Sequence, residues 1–264
     1  MVVPENRMPD LFLELRDESG GGEQTPAPLP EDDALELLRN AEFSASRLIP
    51  WGSNYSFAVA LEAPDGRSQL AIYKPRAGEA PLYDFPEGTL YLRELAAYLF
   101  SRWAGWDLVP PTIVRDGPHG VGSVQLYVQP DSERHDQHDF WSSRDPAIER
   151  MVLFDHIANN ADRKISHCLR DANGKVWGID HGLTFNREPK LRTVLWQFVG
   201  EPISQPLRQE LEDLRDRGEE LYESLGDVID RREIEALLGR ISRFADYGCY
   251  PALNPRRNVP YGWW

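Results

Sequence analysis

Short extended runs broken by turn residues dominate the first half of the chain, and helical stripes dominate the second. The spacing of apolar residues predicts a short helix over 33–40, where Leu35, Leu37 and Leu38 are apolar, and an extended segment over 43–49. A turn, Pro50-Trp51-Gly52-Ser53-Asn54, follows. Strands are expected over 55–61 and 69–74, joined by the hairpin sequence Ala63-Pro64-Asp65-Gly66. The clearest helix lies over 90–103, where Leu92, Leu95, Ala96, Leu99, Phe100 and Trp103 recur at helical spacing as one apolar stripe. Val109-Pro110-Pro111 ends that segment. Strands over 112–114 and 123–128 are joined through Asp116-Gly117-Pro118-His119-Gly120. Residues 130–143 are polar and rich in His and Asp, and read as a loop. A helix over 147–158 carries Ile148, Met151, Val152, Leu153, Phe154 and Ile157. Leu169 and 176–179 flank a second hairpin sequence, Asp171-Ala172-Asn173-Gly174, and the chain beyond about 205 reads as helical and charged.

Strands and one helix first, helices and a hairpin second, give an α+β, two-lobed organisation. A flexible lead-in is expected over 1–32, which contains Gly20-Gly21-Gly22. An N-lobe would span 33–128 and a C-lobe 129–264, with the boundary near Gln129. The chain of 264 residues is long enough for two lobes with a shared cleft. A net charge of −14 argues against a general nucleic-acid binder, which would carry a basic face, and against passive residence on an anionic membrane. Cys168 and Cys249 stand in no metal-ligand spacing and read as unpaired thiols of a reducing compartment. No apolar run reaches membrane-spanning length, and the first residues lack the charged-then-apolar pattern of a signal peptide, so a cytoplasmic protein is expected. The closing aromatics Tyr261, Trp263 and Trp264 are expected to dock on their own lobe.

Chemistry concentrates in two stretches. Asn159-Asn160-Ala161-Asp162-Arg163 places an acid beside two amides and a cation, just after an apolar helix. Trp177-Gly178-Ile179-Asp180-His181-Gly182 ends a hydrophobic strand on an acid. Two carboxylates set apart this way suit phosphoryl transfer, one serving the acceptor and the other holding the metal that neutralises phosphate charge.

Taken together, several motifs resemble the atypical kinase superfamily that includes the phosphatidylinositol 3-/4-kinases and the HipA-type bacterial protein kinases. More narrowly they resemble an uncharacterised actinobacterial-type family described as phosphatidylinositol-kinase-like. The motifs are Gly-Ser-Asn-Tyr-Ser-Phe at 52–57, Tyr73-Lys74-Pro75, Asp107-Leu108-Val109-Pro110-Pro111, Gly117-Pro118-His119-Gly120, Asn-Asn-Ala-Asp-Arg-Lys at 159–164 and Gly-Ile-Asp-His-Gly-Leu-Thr-Phe at 178–185. The narrow likeness runs from about 51 to 198.

The resemblance implies a protein-kinase-like fold that binds ATP and Mg²⁺ in the interlobe cleft. Lys74, at the end of an apolar strand, would pair with the nucleotide phosphates, and Glu94 would hold it in place, with Glu87 as a second candidate. On a helical wheel Glu94 lies opposite the apolar stripe, which also suits a solvated residue. Gly52, Ser53 and Asn54 would form the phosphate-covering turn, which is neither a Walker A loop nor the glycine-rich loop of ordinary protein kinases. Gln125, Leu126, Tyr127 and Val128 would lead into the hinge, where backbone groups read the adenine edge. Asp162 would orient or deprotonate the acceptor hydroxyl, Arg163 would buttress the loop or stabilise phosphoryl charge, and Asp155 would brace the loop. Asp180 would bind the metal.

His167 departs from the pattern, since it stands where these kinases place a metal-binding asparagine. An imidazole nitrogen suits manganese or another transition metal better than magnesium. An altered metal preference, a single-metal site, a weakened catalyst and a non-ligating histidine all remain open. Lys190 and Arg192 occupy the activation-segment position and could attract an anionic substrate or simply be solvated. His135 and His138, among acids, read as a loop rather than a metal site. The reading is an ATP-dependent phosphotransferase acting on an unidentified hydroxyl in a protein, lipid headgroup or small polar molecule. An AMP-transferring enzyme on the same fold and a nucleotide-binding pseudokinase that regulates a partner are the alternatives.

Overall fold

The computed structural model of the chain describes residues 29–131 and 137–261. Most of the expected lead-in, together with His135, Trp263 and Trp264, lies outside them. The chain divides into two compact units. The first takes the described residues up to Leu95 together with Pro110–Gln129, and the second takes Ala96–Val109 and the described residues from Pro130 onward.

The first unit pairs one helix, α1 (Glu31–Asn40), with five antiparallel strands: β1 (Glu42–Ile49), β2 (Ser56–Glu62), β3 (Ser68–Pro75), β4 (Thr112–Gly117) and β5 (Gly120–Leu126). Their order in the sheet is β1-β2-β3-β5-β4. Helix α1 begins with Glu31, Asp32 and Asp33, acids that suit the positive end of the helix dipole. It buries Leu37 and Leu38 against one sheet face, in a cluster with Val59, Leu61, Ala71, Tyr73 and Val124. Strand alternation sends Leu70 and Ile72 to the opposite face, where they pack with Ile49 and Ala58. Lys74 follows by the same alternation, so an apolar sheet face ends on its ammonium. Its strand partner is Ser123. The residue before it in β5, Gly122, is required by packing, because a Cβ there would come within 2.4 Å of the Lys74 carbonyl oxygen.

Helix α2 (Leu90–Trp103) spans the extent its periodicity gives. Its burial differs from the expectation of one apolar stripe with a solvated back. Leu92, Leu95 and Leu99 are partly exposed, whereas Arg93, Glu94, Ala97 and Ser101 are at most 2% exposed. The polar side is covered because its side chains find partners there: Arg93 lies over the Phe85 ring, and Ser101 Oγ accepts the Leu108 N–H.

The second unit contains α3 (Gln137–Ser142), α4 (Pro146–Ala158), the small hairpin β6 (Cys168–Arg170) and β7 (Val176–Gly178), then α5 (Gln205–Asp216), α6 (Glu220–Leu225) and α7 (Arg231–Tyr247). Helix α3 corrects the reading of 130–143 as loop throughout. Phe140 and Trp141 meet edge to face, and Trp141 is buried, giving this polar stretch an apolar anchor. Helix α4 starts at an Asp145 cap that accepts the Ala147 N–H, has Pro146 in its first turn, and ends on Asn159 in the left-handed region. From Met151 to Ala158 every residue is buried. Phe154 packs with Phe100 (5.4 Å between ring centres) and Trp106 (6.4 Å), and Phe185 meets Phe100 at 6.1 Å. Helix α7 carries a full capping box at Asp230 and Glu233 and packs against α5 and α4. Among the described residues, no helix is long and apolar enough to cross a membrane.

Candidate functional site

Two groups of side chains carry the candidate chemistry, one in each unit. In the first unit, Lys74 Nζ donates to Glu94 Oε1 at 2.5 Å. Glu94 is 3% exposed and Lys74 22% exposed by side chain, so the acid lies in the interior and the lysine is partly buried. Glu87, the second candidate partner, is exposed. The turn between β1 and β2 holds Gly52 at φ +105°, a conformation that favours glycine, and both Gly52 and Ser53 are exposed. Asn54 is more constrained: its Oδ1 accepts the Ala80 N–H at 2.8 Å, and the Tyr55 N–H donates to the Gly78 carbonyl at 2.9 Å. The turn is therefore stitched to the segment that follows Lys74.

At the expected hinge, the first donors are used within the sheet. Gln125 is 6% exposed and its amide donates to Thr112 Oγ1. The N–H groups of Leu126 and Tyr127 donate to the Pro111 and Leu70 carbonyls. Antiparallel pairing consumes these donors, and Val128 is buried at the end of the run.

In the second unit the group forms around the end of α4. Asp155 is fully buried, and its carboxylate takes Arg163 Nε and Nη2 at 2.8 Å each and Asn160 Nδ2 at 2.9 Å. Arg163 is also 0% exposed. Its Nη1 donates to the His167 and Ile179 carbonyls, and its Nη2 also reaches His181 Nε2 at 2.8 Å. All five guanidinium N–H groups are thereby engaged. Of the two roles expected of Arg163, this leaves buttressing, since no donor faces a phosphoryl group. Asn160 Oδ1 accepts the Asp162 N–H, and Asn159 ties the loop to 186–190 through the Asn186 and Glu188 carbonyls and the Lys190 N–H.

Asp162 projects from this braced loop and pairs with Lys164 at 2.9 Å. Burial holds its carboxyl above the ordinary range. Lys164 acts in the other direction, and nearby Asp180 adds to the rise. Asp180 adopts φ +59°, an uncommon backbone for an acid, and its side chain is 48% exposed. Between the two acids stands His167: Nδ1 lies 3.0 Å from the Asp162 carbonyl oxygen, and Nε2 lies 3.1 Å from Asp180 Oδ2. Sequence reasoning assigned Lys164 no role. The signal was a cation two residues beyond Asp162, at a spacing that lets it fold back on the acid. Asn160 and His181 were likewise not singled out as parts of the buried network.

A small cation fits the acidic end of this group. The 3.1 Å between His167 Nε2 and Asp180 Oδ2 is close to the edge of an octahedron with metal–ligand bonds of about 2.1 Å. Among the described residues, no group of three or more His, Cys, Asp or Glu is gathered to hold a metal ion. The pair offers two donors, and water or phosphate oxygens would supply the rest of a shell. Arg192 borders the loop, with Nη1 at 3.5 Å from the Ala161 carbonyl and the guanidinium over the Tyr261 ring, while Asn258 bonds Leu191 and Thr193. The described part of the C-terminal tail thus docks within its own unit. His138 lies at the start of α3, exposed beside Asp139.

No protein-family model matches the chain. Its fold is similar to a hydra Fam20 structure determined with sugar, at a TM-score of 0.56 and 13% identity over 84% of this chain and 89% of that one. It is also similar to the Golgi casein kinase with Mn/ADP bound, at a TM-score of 0.50 and 13% identity over 82% and 75% of the two chains. A second structure of the Golgi casein kinase gives 0.50 and 13% over 92% and 88%. At such identity the likeness concerns the fold alone, an α+β, kinase-like fold of the atypical kind. By sequence, the chain is 38% identical over 266 residues to protein Rv2133c of Mycobacterium tuberculosis (strain ATCC 25618 / H37Rv), across 87% of this chain and 95% of that one, and it belongs to the family of that protein.

Proposed function

We propose that this protein is an ATP-dependent phosphotransferase that moves the γ-phosphoryl group of ATP to a hydroxyl acceptor. The observation that carries this reading is the His167 ring, which links the main chain of Asp162 to the carboxylate of Asp180. Two acids of different character are thereby held on one surface. Asp162 is mostly buried, raised in pKa and braced by Asn160, which suits a group that orients a hydroxyl and takes its proton. Asp180 is half exposed and suits a cation ligand. A divalent cation bound there would neutralise charge on the phosphate oxygens. Arg163 is a positioning residue, acting through Asp155 and the carbonyls it holds. In the first unit, Lys74, fixed by Glu94, would bind nucleotide phosphates, and the turn at 52–54 would cover them.

Other support comes from outside the geometry. The motifs resemble those of phosphatidylinositol 3-/4-kinases and HipA-type kinases, and a solved structure of similar fold carries Mn/ADP. The acceptor is a hydroxyl of a protein, a lipid headgroup or a small polar molecule. Calorimetric titration of ATP with Mg²⁺ or Mn²⁺ into wild type and Asp180→Ala tests the reading. Metal-dependent binding that disappears in the variant is expected. Silence with both ions would sink the assignment, and the mass added to an acceptor distinguishes phosphoryl from adenylyl transfer.

A further inference from the structure

We infer that Arg192, with Arg256 and Arg257 on a turn of the C-terminal tail, forms a surface that reads the carboxylates of an acidic peptide segment and brings that segment's hydroxyl to Asp162. The inference rests on the phosphotransferase reading for the role of Asp162 and goes further by naming the acceptor. The turn lies outside the stretch, 51–198, that carries the kinase likeness. Its ends are closed on each other: the Asn254 N–H donates to Asn258 Oδ1 and the Asn258 N–H to the Asn254 carbonyl, at 2.8 Å each. The Arg256 N–H donates to Asn254 Oδ1 at 2.9 Å. Arg256 and Arg257 are exposed, and among the described residues neither side chain meets an acid.

Three segments run side by side from this turn to the catalytic acid. The Asn258 carbonyl accepts the Thr193 N–H at 3.0 Å, and its amide donates to the Leu191 carbonyl at 2.7 Å. The Arg192 N–H donates to the Asn160 carbonyl, its own carbonyl accepts the Arg163 N–H, and Arg163 and Thr193 form a parallel bridge. Arg192 therefore stands beside the Asp162 loop, and the turn lies one segment further out, about 10 Å from that loop. The Arg192 guanidinium lies over the Tyr261 ring, 4.9 Å from its centre, and among the described residues its Nε and Nη2 take no acceptor. That edge suits a carboxylate held by two parallel bonds. Burial dominates the Asp162 carboxyl, and Arg192 is among the charges that oppose it, so the guanidinium acts on the place where a hydroxyl would sit. Segments 186–193 and 254–261 carry five cations and one acid, Glu188, itself paired with Arg187, in a chain of 29 cations and 43 acids. Charges elsewhere on the chain are screened beyond about 8 Å, so this local excess decides attraction at close range. Cations spread over about 10 Å exceed the reach of one compact anion. They match an extended peptide, in which alternate side chains stand about 7 Å apart. In the transfer, the hydroxyl oxygen bonds the γ-phosphorus, the bond to ADP breaks, and Asp162 takes the hydroxyl proton.

The probe is a fluorescent peptide with one serine and glutamates at alternate positions; a second peptide carries glutamine in their place. Anisotropy measures binding without turnover, and mass spectrometry after incubation with ATP and Mn²⁺ measures transfer. The acidic peptide should bind, and its affinity should fall as salt rises from about 50 to about 300 mM. It should bind about five- to tenfold more weakly to the Arg256→Gln/Arg257→Gln double variant, whose melting temperature stays at the wild-type value, and about tenfold more weakly to Arg192→Gln. Arg231→Gln/Arg232→Gln, which removes the same charge from the start of α7, should bind as wild type does. Equal binding of the two peptides, or wild-type binding by the Arg256→Gln/Arg257→Gln variant, overturns the inference. So does inorganic phosphate that competes as well as the peptide, the mark of a compact-anion site. Transfer to both peptides alike would keep the phosphotransferase reading and overturn the acidic surface. Charge-dependent binding with no phosphoryl group added would overturn the phosphotransferase reading and leave the surface standing.

Discussion

Arg163→Met is expected to destabilise the second unit by about 4–6 kcal/mol. Arg163 and Asp155 are 0% and 1% exposed by side chain, and they meet through two hydrogen bonds of 2.8 Å. Removing one partner of such a pair leaves an uncompensated buried charge, at a cost of about 3–5 kcal/mol. The Ile179 carbonyl and His181 Nε2 also lose a donor, which adds about 1 kcal/mol. Asn160 still donates to Asp155 and limits the loss. For a chain of this size, 1 kcal/mol moves the melting temperature by about 2–4 °C, so a fall of roughly 10–20 °C should follow. Urea melts followed by far-UV circular dichroism would measure it for Arg163→Met, Asp155→Leu and the double variant. The double variant removes both charges and should be at least about 2 kcal/mol more stable than the sum of the singles implies. Arg163→Lys should fall between wild type and Arg163→Met, because an ammonium cannot reproduce the guanidinium fork. A loss below about 1 kcal/mol in Arg163→Met, or strict additivity in the cycle, would refute the view that this ion pair holds the loop.

Four further outcomes are expected. Asp162→Asn should reduce phosphoryl transfer by about 100-fold or more while nucleotide–metal affinity and melting temperature stay near wild type, as measured by transfer assay and calorimetry; retained transfer would remove Asp162 as the base. Glu94→Gln should weaken nucleotide binding about tenfold by releasing Lys74, and unchanged affinity would dissociate the pair from the ligand. His156 is buried against Phe244 and Tyr250, and burial lowers its pKa to about 4 in the folded protein, below the unfolded value near 6.5. The folded state therefore binds fewer protons in that window, and stability present above pH 6.5 should drop by about 3 kcal/mol as the pH falls toward 4. The drop should be smaller by that amount in His156→Leu, and equal pH profiles of unfolding free energy would contradict it. Burial also pushes the Cys168 thiol up to about 12, whereas Cys249 is exposed. One equivalent of a thiol reagent should react quickly and the second only on unfolding; two fast equivalents would place Cys168 at the surface.

Local pattern carried most of the elements. The two-residue period of 69–74 and the turn Ala63-Pro64-Asp65-Gly66 need only neighbours a few residues away, and β2, β3 and their hairpin follow from them. The stripe of 90–103 delimits α2 for the same reason. The stretch 130–143 misled because its composition is polar, while two adjacent aromatics, Phe140 and Trp141, were enough to anchor a short helix.

The sequence by itself determined the strand and helix order, the strand-end position of Lys74 and the two acids, Asp162 and Asp180, that carry the chemical reading. These rest on interactions within a few residues, which pattern and motif record directly. Tertiary structure alone decided what each polar residue is used for. Glu94 lies on the side of α2 that a helical wheel marks as solvated, and only folding sets it against Lys74, twenty positions away. Arg163 reads as a loop buttress or a phosphoryl ligand, and the convergence of Asp155, the His167 and Ile179 carbonyls and His181 on its five donors makes it the buttress. His167 gained its place between Asp162 and Asp180 the same way. Burial and hydrogen-bond partnership depend on which distant segments arrive at a side chain, and a linear pattern does not encode that arrival.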